Sequence, residues 1–256
     1  MSLVAALQLE PGPRALDRAV VLVSRARERG AQVVALPETF LEDDALDEHQ
    51  AALAALARDQ GVALVAGTLR EAAPGDPRPY QTSLVLDAKG EEVFRYRKVH
   101  LFDVSIPGGP DERESDTLRP GPLDGVRPFE LAPLGTCGLG ICYDLRFPEL
   151  WRALAARGAR VLFAPSSFAL GTGKDHWHLL LRARALENLA WVVAPAQVGR
   201  KPDGRVRYGH AAIVDPWGTV VADAGTEGDG IALAEIDLER QERLRRALPC
   251  LEHRRL

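Results

Sequence analysis

The stretch of residues 138–150, Gly-Leu-Gly-Ile-Cys-Tyr-Asp-Leu-Arg-Phe-Pro-Glu-Leu, changes character halfway and limits how the chain around it can fold. Its first part is apolar and rich in glycine, as expected of a buried strand. From Phe147 onward, apolar residues recur at Leu150, Trp151 and Leu154, which is the spacing of one helix face. The stretch therefore predicts a strand, a short turn and then a helix.

Cys142 stands at the junction between the predicted strand and the predicted helix. Pro148 and Glu149 occupy the first helical turn, where a missing N–H is harmless and a negative charge suits the helix dipole. Because helix-terminal N–H groups favour a thiolate, the junction predicts a cysteine nucleophile. Cys137 and Cys250 are interpreted as ordinary apolar residues, since free cysteines are usually buried.

Length and composition narrow the classes of protein that the chain can belong to. The 256 residues contain no Ser/Gly/Pro-rich linker, which favours one large α/β domain over two small ones. A net charge of -4 gives no electrostatic footprint for nucleic acid or an anionic membrane. Three cysteines without paired spacing, no signal-peptide pattern and no apolar stretch of about 20 residues together predict a cytoplasmic protein.

Strands and helices alternate in the first part of the chain, and strands dominate later. The pattern favours two sheets packed face to face with helices outside. Residues 70–80, with three prolines, and residues 104–123 are predicted to be loops, the second long enough to be functional. Apolar periodicity predicts helices at 14–29, 46–60, 147–157, 174–188 and 238–248, and strands at 3–9, 32–36, 62–69, 81–86, 91–97, 159–165, 191–194, 211–214, 219–222 and 231–236.

A cysteine nucleophile needs a base and a group that stabilises the oxyanion. Glu38 directly follows a predicted strand, where α/β folds place functional groups, and Lys98 follows a predicted hairpin. Of the six histidines, only His100 lies at a comparable strand end. Glu38 and Lys98 are therefore the better partners for Cys142, although surface carboxylates and lysines are common.

Two other motifs were weighed and set aside. Residues 171–174 contain Gly-Thr-Gly-Lys but lack the first glycine and the Ser/Thr of a phosphate-binding loop. His176 and His178 are two residues apart and therefore point to different helix faces, which makes them poor metal ligands. We expect no metal site.

The segments 36–40, 97–103 and 142–150 together resemble the nitrilase, or carbon–nitrogen hydrolase, superfamily, and the resemblance covers essentially the whole chain. It implies a single-domain, four-layer α-β-β-α sandwich. It also implies a triad in which Glu38 is the general base and Lys98 the oxyanion partner. Cys142 is then the nucleophile that forms a thioester, without any metal or organic cofactor.

The resemblance extends to groups that assist this triad. Glu114 falls where the family keeps a second glutamate that positions the lysine and the substrate, with Glu112 as a nearby competitor. The backbone N–H of Tyr143 is expected to contribute to the oxyanion site, because it lies near the helix N-terminus. The family further implies a homodimer, with the tail of residues 249–256 at a subunit interface.

Within the superfamily the chain resembles the Nit amidase branch, and it is closer to deaminated glutathione amidase than to ω-amidase. One departure bears on the substrate, because residues 173–178 read Gly-Lys-Asp-His-Trp-His where that branch usually has Gly-Pro-Ala-His-Trp-Glu. The segments that carry this resemblance are 100–104, 106–115, 142–150, 176–177, 182–187, 196–200, 208–210 and 215–220.

The resemblance implies a small amide substrate that bears a carboxylate. Arg146 and Lys174 are the cations expected near it, unless they face solvent or pair with neighbouring aspartates. Phe168, Thr172 and His176 are further candidate substrate contacts. The alternatives are ω-amidase activity on α-ketoglutaramate, a nitrilase or carbamoylase using the same triad, and a binding scaffold without activity.

Overall fold

The computed structural model describes residues 1–41, 45–107 and 111–255. Part of the predicted loop before Glu114, residues 108–110, lies outside the described residues, as does the last residue of the predicted C-terminal tail.

The described residues form 17 strands, most of them short. The first ten are β1 Ser2–Leu9, β2 Val33–Ala35, β3 Ala63–Val65, β4 Leu69–Ala73, β5 Asp76–Leu86, β6 Glu92–Arg97, β7 Asp103–Ser105, β8 Asp111–Arg113, β9 Phe129–Leu131 and β10 Gly135–Leu139. The remaining strands are β11 Val161–Phe163, β12 Trp191–Ala194, β13 Ala196–Arg200, β14 Val206–Tyr208, β15 Ala212–Val214, β16 Val220–Asp223 and β17 Gly230–Ile236.

The helices lie between these strands and at the end of the chain. They are α1 Ala15–Glu28, α2 Leu46–Gln60, α3 Pro148–Ala156, α4 Leu170–Asn188 and α5 Leu238–Ala247. A 3-10 turn, Cys142–Arg146, joins β10 to α3. The order of strand, turn and helix around Cys142 is therefore the one that the sequence predicts.

Two large sheets organise the molecule. The first has the strand order β14-β13-β1-β2-β3-β5-β4, with β17 paired to β1 and β6 paired to β5. The second has the order β16-β15-β12-β11-β10-β9, and β7 and β8 form a separate hairpin. Both sheets mix parallel and antiparallel pairs.

Alternating side chains show how the layers stack. Along β1, Val4 and Ala6 belong to the core between the sheets, whereas Ala5, Leu7 and Leu9 pack with α1 and α2. Helices α3 and α4 cover the second sheet with buried residues that include two tryptophans. The fold is a four-layer α-β-β-α sandwich in one domain, which confirms the predicted fold class.

The structure corrects several predicted elements. Residues 70–80 are not a loop but form most of β4 and the start of β5, where the pairing is irregular and the prolines fit at the edge of the sheet. The long predicted loop contains the short β7–β8 hairpin. The sequence reasoning missed β13 and β14, a hairpin in the first sheet.

The described helices differ in length and in apolar character. None of them combines the length and the apolar character that crossing a bilayer requires.

Gly140 provides a test of the packing beside Cys142. A Cβ atom at this position would lie 2.8 Å from Trp151 Cζ2 and 2.9 Å from its Cη2. We expect Gly140→Ala to destabilise the protein by about 1–3 kcal/mol, because overpacking a dense core forces its neighbours to shift. Urea titration with a common m-value measures the change.

Gly171→Ala is the matched control, since a Cβ on this helical glycine meets nothing within 4 Å. It should leave stability unchanged or raise it by up to about 1 kcal/mol, because alanine is the better helix former. Equal midpoints for both variants would contradict the close packing of Gly140 on Trp151.

Candidate active site

Segments that follow three strands bring Glu38, Lys98 and Cys142 to one end of the sandwich. Glu38 follows β2, Lys98 follows β6, and Cys142 lies just beyond β10 of the second sheet. Glu38 and Cys142 line the same cavity, and the Lys98 ammonium contacts Glu38 beneath it. The face-to-face packing of the sheets thus assembles groups that are far apart in the sequence.

Lys98 lies between two carboxylates. Its Nζ donates to Glu38 Oε1 at 2.8 Å and to Glu114 Oε2 and Oε1 at 2.8 and 3.0 Å. Lys98 is 1% exposed and Glu38 is 3% exposed. Gln81 Nε2 also donates to Glu38 Oε1, at 3.3 Å. The ammonium and the Glu38 carboxylate are therefore held in one geometry within the protein.

The charge of Lys98 is secured by its neighbours. Burial alone would lower its pKa, but the negative charges of Glu38 and Glu114 raise the pKa of Lys98 well above its usual value. Lys98 is therefore an ammonium throughout the physiological pH range.

Glu114, rather than Glu112, contacts this lysine. The Glu114 carboxylate also accepts a hydrogen bond from the Phe102 N–H at 2.8 Å. Glu112 instead binds Arg205, with 2.6 Å between its Oε2 and the guanidinium. The structure thus separates the two glutamates that the sequence left as competitors.

The backbone of Cys142 adopts the left-handed region, with a φ of 46°. Non-glycine residues enter this region at a cost and do so most often at functional sites. The Cys142 N–H donates to the Pro165 carbonyl at 2.9 Å. Tyr143 follows in the first turn of the 3-10 helix, where N–H groups lack an intrahelical acceptor. The turn therefore presents a thiol next to a potential oxyanion donor.

The electrostatic environment of Cys142 differs from the sequence-based expectation of a favoured thiolate. Burial and the negative charge of Glu38 raise the pKa of the Cys142 thiol well above its usual value, and Lys98 opposes this only partly. The helix-terminal environment does not outweigh these effects. The resting thiol is protonated at neutral pH, so a nucleophilic role requires a base, and Glu38 is the carboxylate that faces it.

Asp144 holds the turn in place, a role that the sequence reasoning missed. Its fully buried carboxylate accepts hydrogen bonds from the Tyr96 hydroxyl at 2.8 Å, the Ile141 N–H at 2.8 Å and the His100 N–H at 3.1 Å. His100 Nδ1 lies 2.7 Å from the same carboxylate, so this histidine is a structural neighbour of the turn. A lone acidic residue between a buried strand and an apolar helix face was the available signal.

The cavity has a volume of about 580 Å³, which is in the range of small-ligand sites. Arg146, Phe168 and Thr172 line it, as expected from the sequence. The Arg146 guanidinium lies over the Phe168 ring, 5.7 Å from its centroid. The predicted cation next to Cys142 is therefore in a position to contact a ligand.

The structure places Lys174 and His176, the other two predicted substrate contacts, differently from Arg146, Phe168 and Thr172. Neither belongs to the described residues that line the cavity. Lys174 is exposed and pairs with Asp175 at 2.8 Å, the alternative that the sequence left open. His176 lies behind the cavity wall, with its Nδ1 3.3 Å from Arg146 Nη2.

Further cations of the cavity wall escaped the sequence reasoning. Lys201, Arg205 and Arg207 belong to the hairpin of β13 and β14, and all three line the cavity. Burial and the nearby charge of Arg207 lower the pKa of Lys201 to about 8. The hairpin was missed because its two short strands carry little apolar periodicity and are joined by a polar, charged stretch.

Another cluster in the described part of the chain has donor atoms suited to a metal ion. His178, His210 and Asp223 offer ligand atoms within 4.8 Å of one another. His178 Nε2 lies 2.8 Å from Asp223 Oδ2, and His210 Nδ1 lies 2.9 Å from Asp223 Oδ1. These residues are not among the described residues of the cavity wall.

The fold and the site define a class of protein. A buried ammonium, a carboxylate and a protonated thiol meet in an α-β-β-α sandwich, a combination suited to cleavage of a carbon–nitrogen bond. The family model for carbon–nitrogen hydrolases matches residues 3–246, and the chain belongs to this family.

Two relatives indicate where the chain stands within the family. The deaminated glutathione amidase of Synechocystis sp. is 41% identical over 98% of this chain and 97% of its own length. The omega-amidase of Xenopus tropicalis is 37% identical over 94% of this chain and 89% of its own length. The chain is therefore an amidase of the carbon–nitrogen hydrolase family.

Solved structures agree with this assignment. The NitFhit protein of C. elegans superposes with a TM-score of 0.91 at 38% identity, covering 99% of this chain and 65% of that one. A mutant amidase from Nesterenkonia sp. AN1 superposes with a TM-score of 0.78 at 28% identity, covering 97% and 98%. The latter structure shows the result of Michael addition of acrylamide at its active site cysteine.

The buried ion pairs of Lys98 predict a pH-dependent stability. Because the folded-state pKa of Lys98 is raised, its pairs stabilise the fold fully below the unfolded pKa of about 10.4. That stabilisation is lost only as the pH rises through the folded value. Lys98→Met should therefore cost about 3–5 kcal/mol at pH 7, because Glu38 is left buried and unpaired.

Adding Glu38→Gln to Lys98→Met should recover part of the stability that Lys98→Met loses. A double-mutant cycle of urea titrations measures this recovery. Lys174→Met, which removes an exposed pair, is the control and should change stability by less than about 1 kcal/mol. Additive effects of the Lys98 and Glu38 variants would contradict the coupling.

Proposed function

We propose that the chain hydrolyses a small carboxylate-bearing amide by nucleophilic catalysis, with Cys142 as the nucleophile and deaminated glutathione as the favoured substrate. The observation that carries the proposal is the shared cavity of Cys142 and Glu38, with Lys98 bound to Glu38 beneath them. A protonated thiol opposite a fixed carboxylate requires general-base activation, and the geometry supplies the base.

The proposed reaction has two steps. Glu38 accepts the thiol proton as Cys142 sulfur attacks the amide carbon, and it then gives that proton to the departing amine. Breakage of the C–N bond leaves an acyl thioester on Cys142. Glu38 next takes a proton from water, whose oxygen attacks the thioester, and the carboxylic acid leaves as the thiol regains its proton.

Charge that develops on the amide oxygen needs a fixed partner. The Lys98 ammonium and the Tyr143 N–H are the proposed donors, because both lie beside Cys142 at the base of the cavity. Glu114 keeps Lys98 oriented through two hydrogen bonds. Preorganised donors of this kind act without the cost of reorganising solvent during the reaction.

The proposed substrate is defined by its acyl half. Deaminated glutathione carries an oxo group where glutathione has its amino group, so a 2-oxo carboxylate belongs to the acyl half. Arg146 is the proposed partner of this carboxylate, since it lines the cavity four residues from Cys142 and makes no ion pair with a described residue. Phe168 and Thr172 complete this side of the wall.

The relatives also support a second candidate, ω-amidase activity on α-ketoglutaramate. That substrate shares the 2-oxo acyl half but releases ammonia, so the leaving group separates the two activities. A carbamoylase or nitrilase would be recognised by its products, carbon dioxide from a carbamoyl group or an acid from a nitrile. A scaffold without activity would give no product from any amide.

The oligomeric state of the protein and its cellular location are still predictions. The homodimer is supported by Leu179 and Leu186, which lie two helical turns apart on α4 and are 66% and 47% exposed. A cytoplasmic location is supported by the three cysteines, which are all free thiols.

The substrate proposal predicts a ranking of kcat/KM among three amides. Deaminated glutathione should be hydrolysed best, α-ketoglutaramate less well, and an uncharged aliphatic amide of similar length worst. Arg146→Gln should reduce kcat/KM for both 2-oxo acids by about 10- to 150-fold, the value of one charge-assisted hydrogen bond. The same substitution should leave kcat/KM for the uncharged amide unchanged.

Lys174→Gln serves as the control, because this lysine is exposed and lies outside the cavity wall. Its kinetics should match those of the wild type for every amide. Preferred hydrolysis of the uncharged amide would overturn the substrate class and indicate an aliphatic amidase with the same catalytic groups.

A further inference from the structure

Most charged side chains in the cavity wall neutralise one another. Lys98 binds the carboxylates of Glu38 and Glu114 from below. Arg205 binds Glu112 at 2.6 Å and Asp203 at 2.6 Å near the β13–β14 hairpin. The four carboxylates that the described cavity wall contributes therefore all have a cationic partner.

Three cations of the same wall make no ion pair with any described residue: Arg146, Lys201 and Arg207. Arg146 belongs to the turn that carries Cys142, whereas the other two belong to the β13–β14 hairpin. The uncompensated positive charge of the wall thus comes from two parts of the chain. A substrate with two carboxylates offers a partner to each.

Arg207 is the least expected of the three. It is 6% exposed, and its Nε is buried without a hydrogen-bond partner. In the part of the chain that the structure describes, its side chain has neither a carboxylate nor a carbonyl as acceptor. Burying an unpaired charge is costly, so a guanidinium in this state is suited to an anion that enters the cavity.

Lys201 adds a second donor to this group. Its Nζ donates to Thr39 Oγ1 at 3.1 Å, which brings it beside Glu38. Burial and repulsion by the charge of Arg207 lower the pKa of Lys201. A bound anion would stabilise the charged form of this lysine. Because Glu38 passes the proton to the leaving amine in the proposed reaction, this side of the cavity is the side of the leaving group.

We propose that Arg207 and Lys201 form an anion-binding subsite for a carboxylate on the amine half of the substrate, while Arg146 binds the acyl-half carboxylate. The inference rests on the proposed amidase function and narrows its substrates to amides with a carboxylate at each end. Deaminated glutathione, whose amine half ends in the glycine carboxylate, fits this description. α-Ketoglutaramate has no amine-half carboxylate and leaves the subsite empty.

Two matched amides test the subsite. Both are 5-amides of 2-oxoglutaric acid, one formed with glycine and the other with glycinamide, so they differ only in the terminal charge of the amine half. The wild type should hydrolyse the glycine amide with a kcat/KM about 10- to 150-fold higher than the glycinamide amide. Arg207→Gln and Lys201→Gln should each reduce that ratio toward one.

Arg200→Gln is the matched control, because Arg200 is an exposed cation on the adjoining strand outside the described cavity wall. It should keep the wild-type ratio. Arg207→Met should also unfold at the same or a higher temperature than the wild type, since it removes an unpaired buried charge. A structural role for Arg207 would instead lower the melting temperature and reduce kcat/KM equally for both amides, which would overturn the subsite.

Failure of the subsite and failure of the amidase proposal give different results. Hydrolysis of both amides at equal kcat/KM contradicts the subsite and leaves the amidase function standing. Hydrolysis of neither contradicts deaminated glutathione as the proposed substrate, and calorimetric binding of the two amides to Cys142→Ala then decides the subsite. Tighter binding of the glycine amide, lost in Cys142→Ala/Arg207→Gln, supports it, and equal binding refutes it.

Discussion

The buried contact between Lys98 and its two carboxylates is the interaction on which the site depends. Removing three charges from water is costly, and only close hydrogen bonds in a fixed geometry offset that cost. Glu38 and Glu114 reach Lys98 from different parts of the chain, so the ion pairs form only when the first sheet and the segment after β8 are in place. The same contacts that require a folded sandwich also fix a carboxylate and an ammonium beneath the cavity.

The second sheet contributes the strained part of the site. Cys142 has a positive φ, and hydrogen bonds to Asp144 offset the cost of that conformation. Its buried carboxylate accepts from the Ile141 N–H just before the turn, from the His100 N–H and from the Tyr96 hydroxyl. The hydrogen bonds that stabilise this turn therefore also set the position of the Cys142 thiol. The raised pKa of the thiol follows from the same burial, so the fold leaves Cys142 inert until a base acts on it.

Apolar periodicity in the sequence predicted those elements whose formation depends on residues close together in the chain. The periodicity over Leu46–Gln60 gave α2 its bounds, and Gly61 ends it with the left-handed backbone typical of a helix C-terminus. The hairpins β4–β5 and β13–β14 were missed because prolines and charged residues interrupt the apolar pattern along them. Resemblance to a family selected Glu38, Lys98 and Cys142, and the structure brings them together. Asp144 left a signal in the sequence that was overlooked, whereas the importance of Arg207 comes from burial that no motif records.

The proposed mechanism requires an acyl thioester on Cys142, and trapping that intermediate tests the mechanism directly. Wild-type protein would be mixed with deaminated glutathione, quenched in acid within the first turnover and analysed by intact-protein and peptide mass spectrometry. The account predicts an added mass equal to the acyl half of the substrate on the peptide that contains Cys142, removable by hydroxylamine. An acyl adduct on Cys137 or Cys250, or turnover by Cys142→Ala at the wild-type rate, would contradict it.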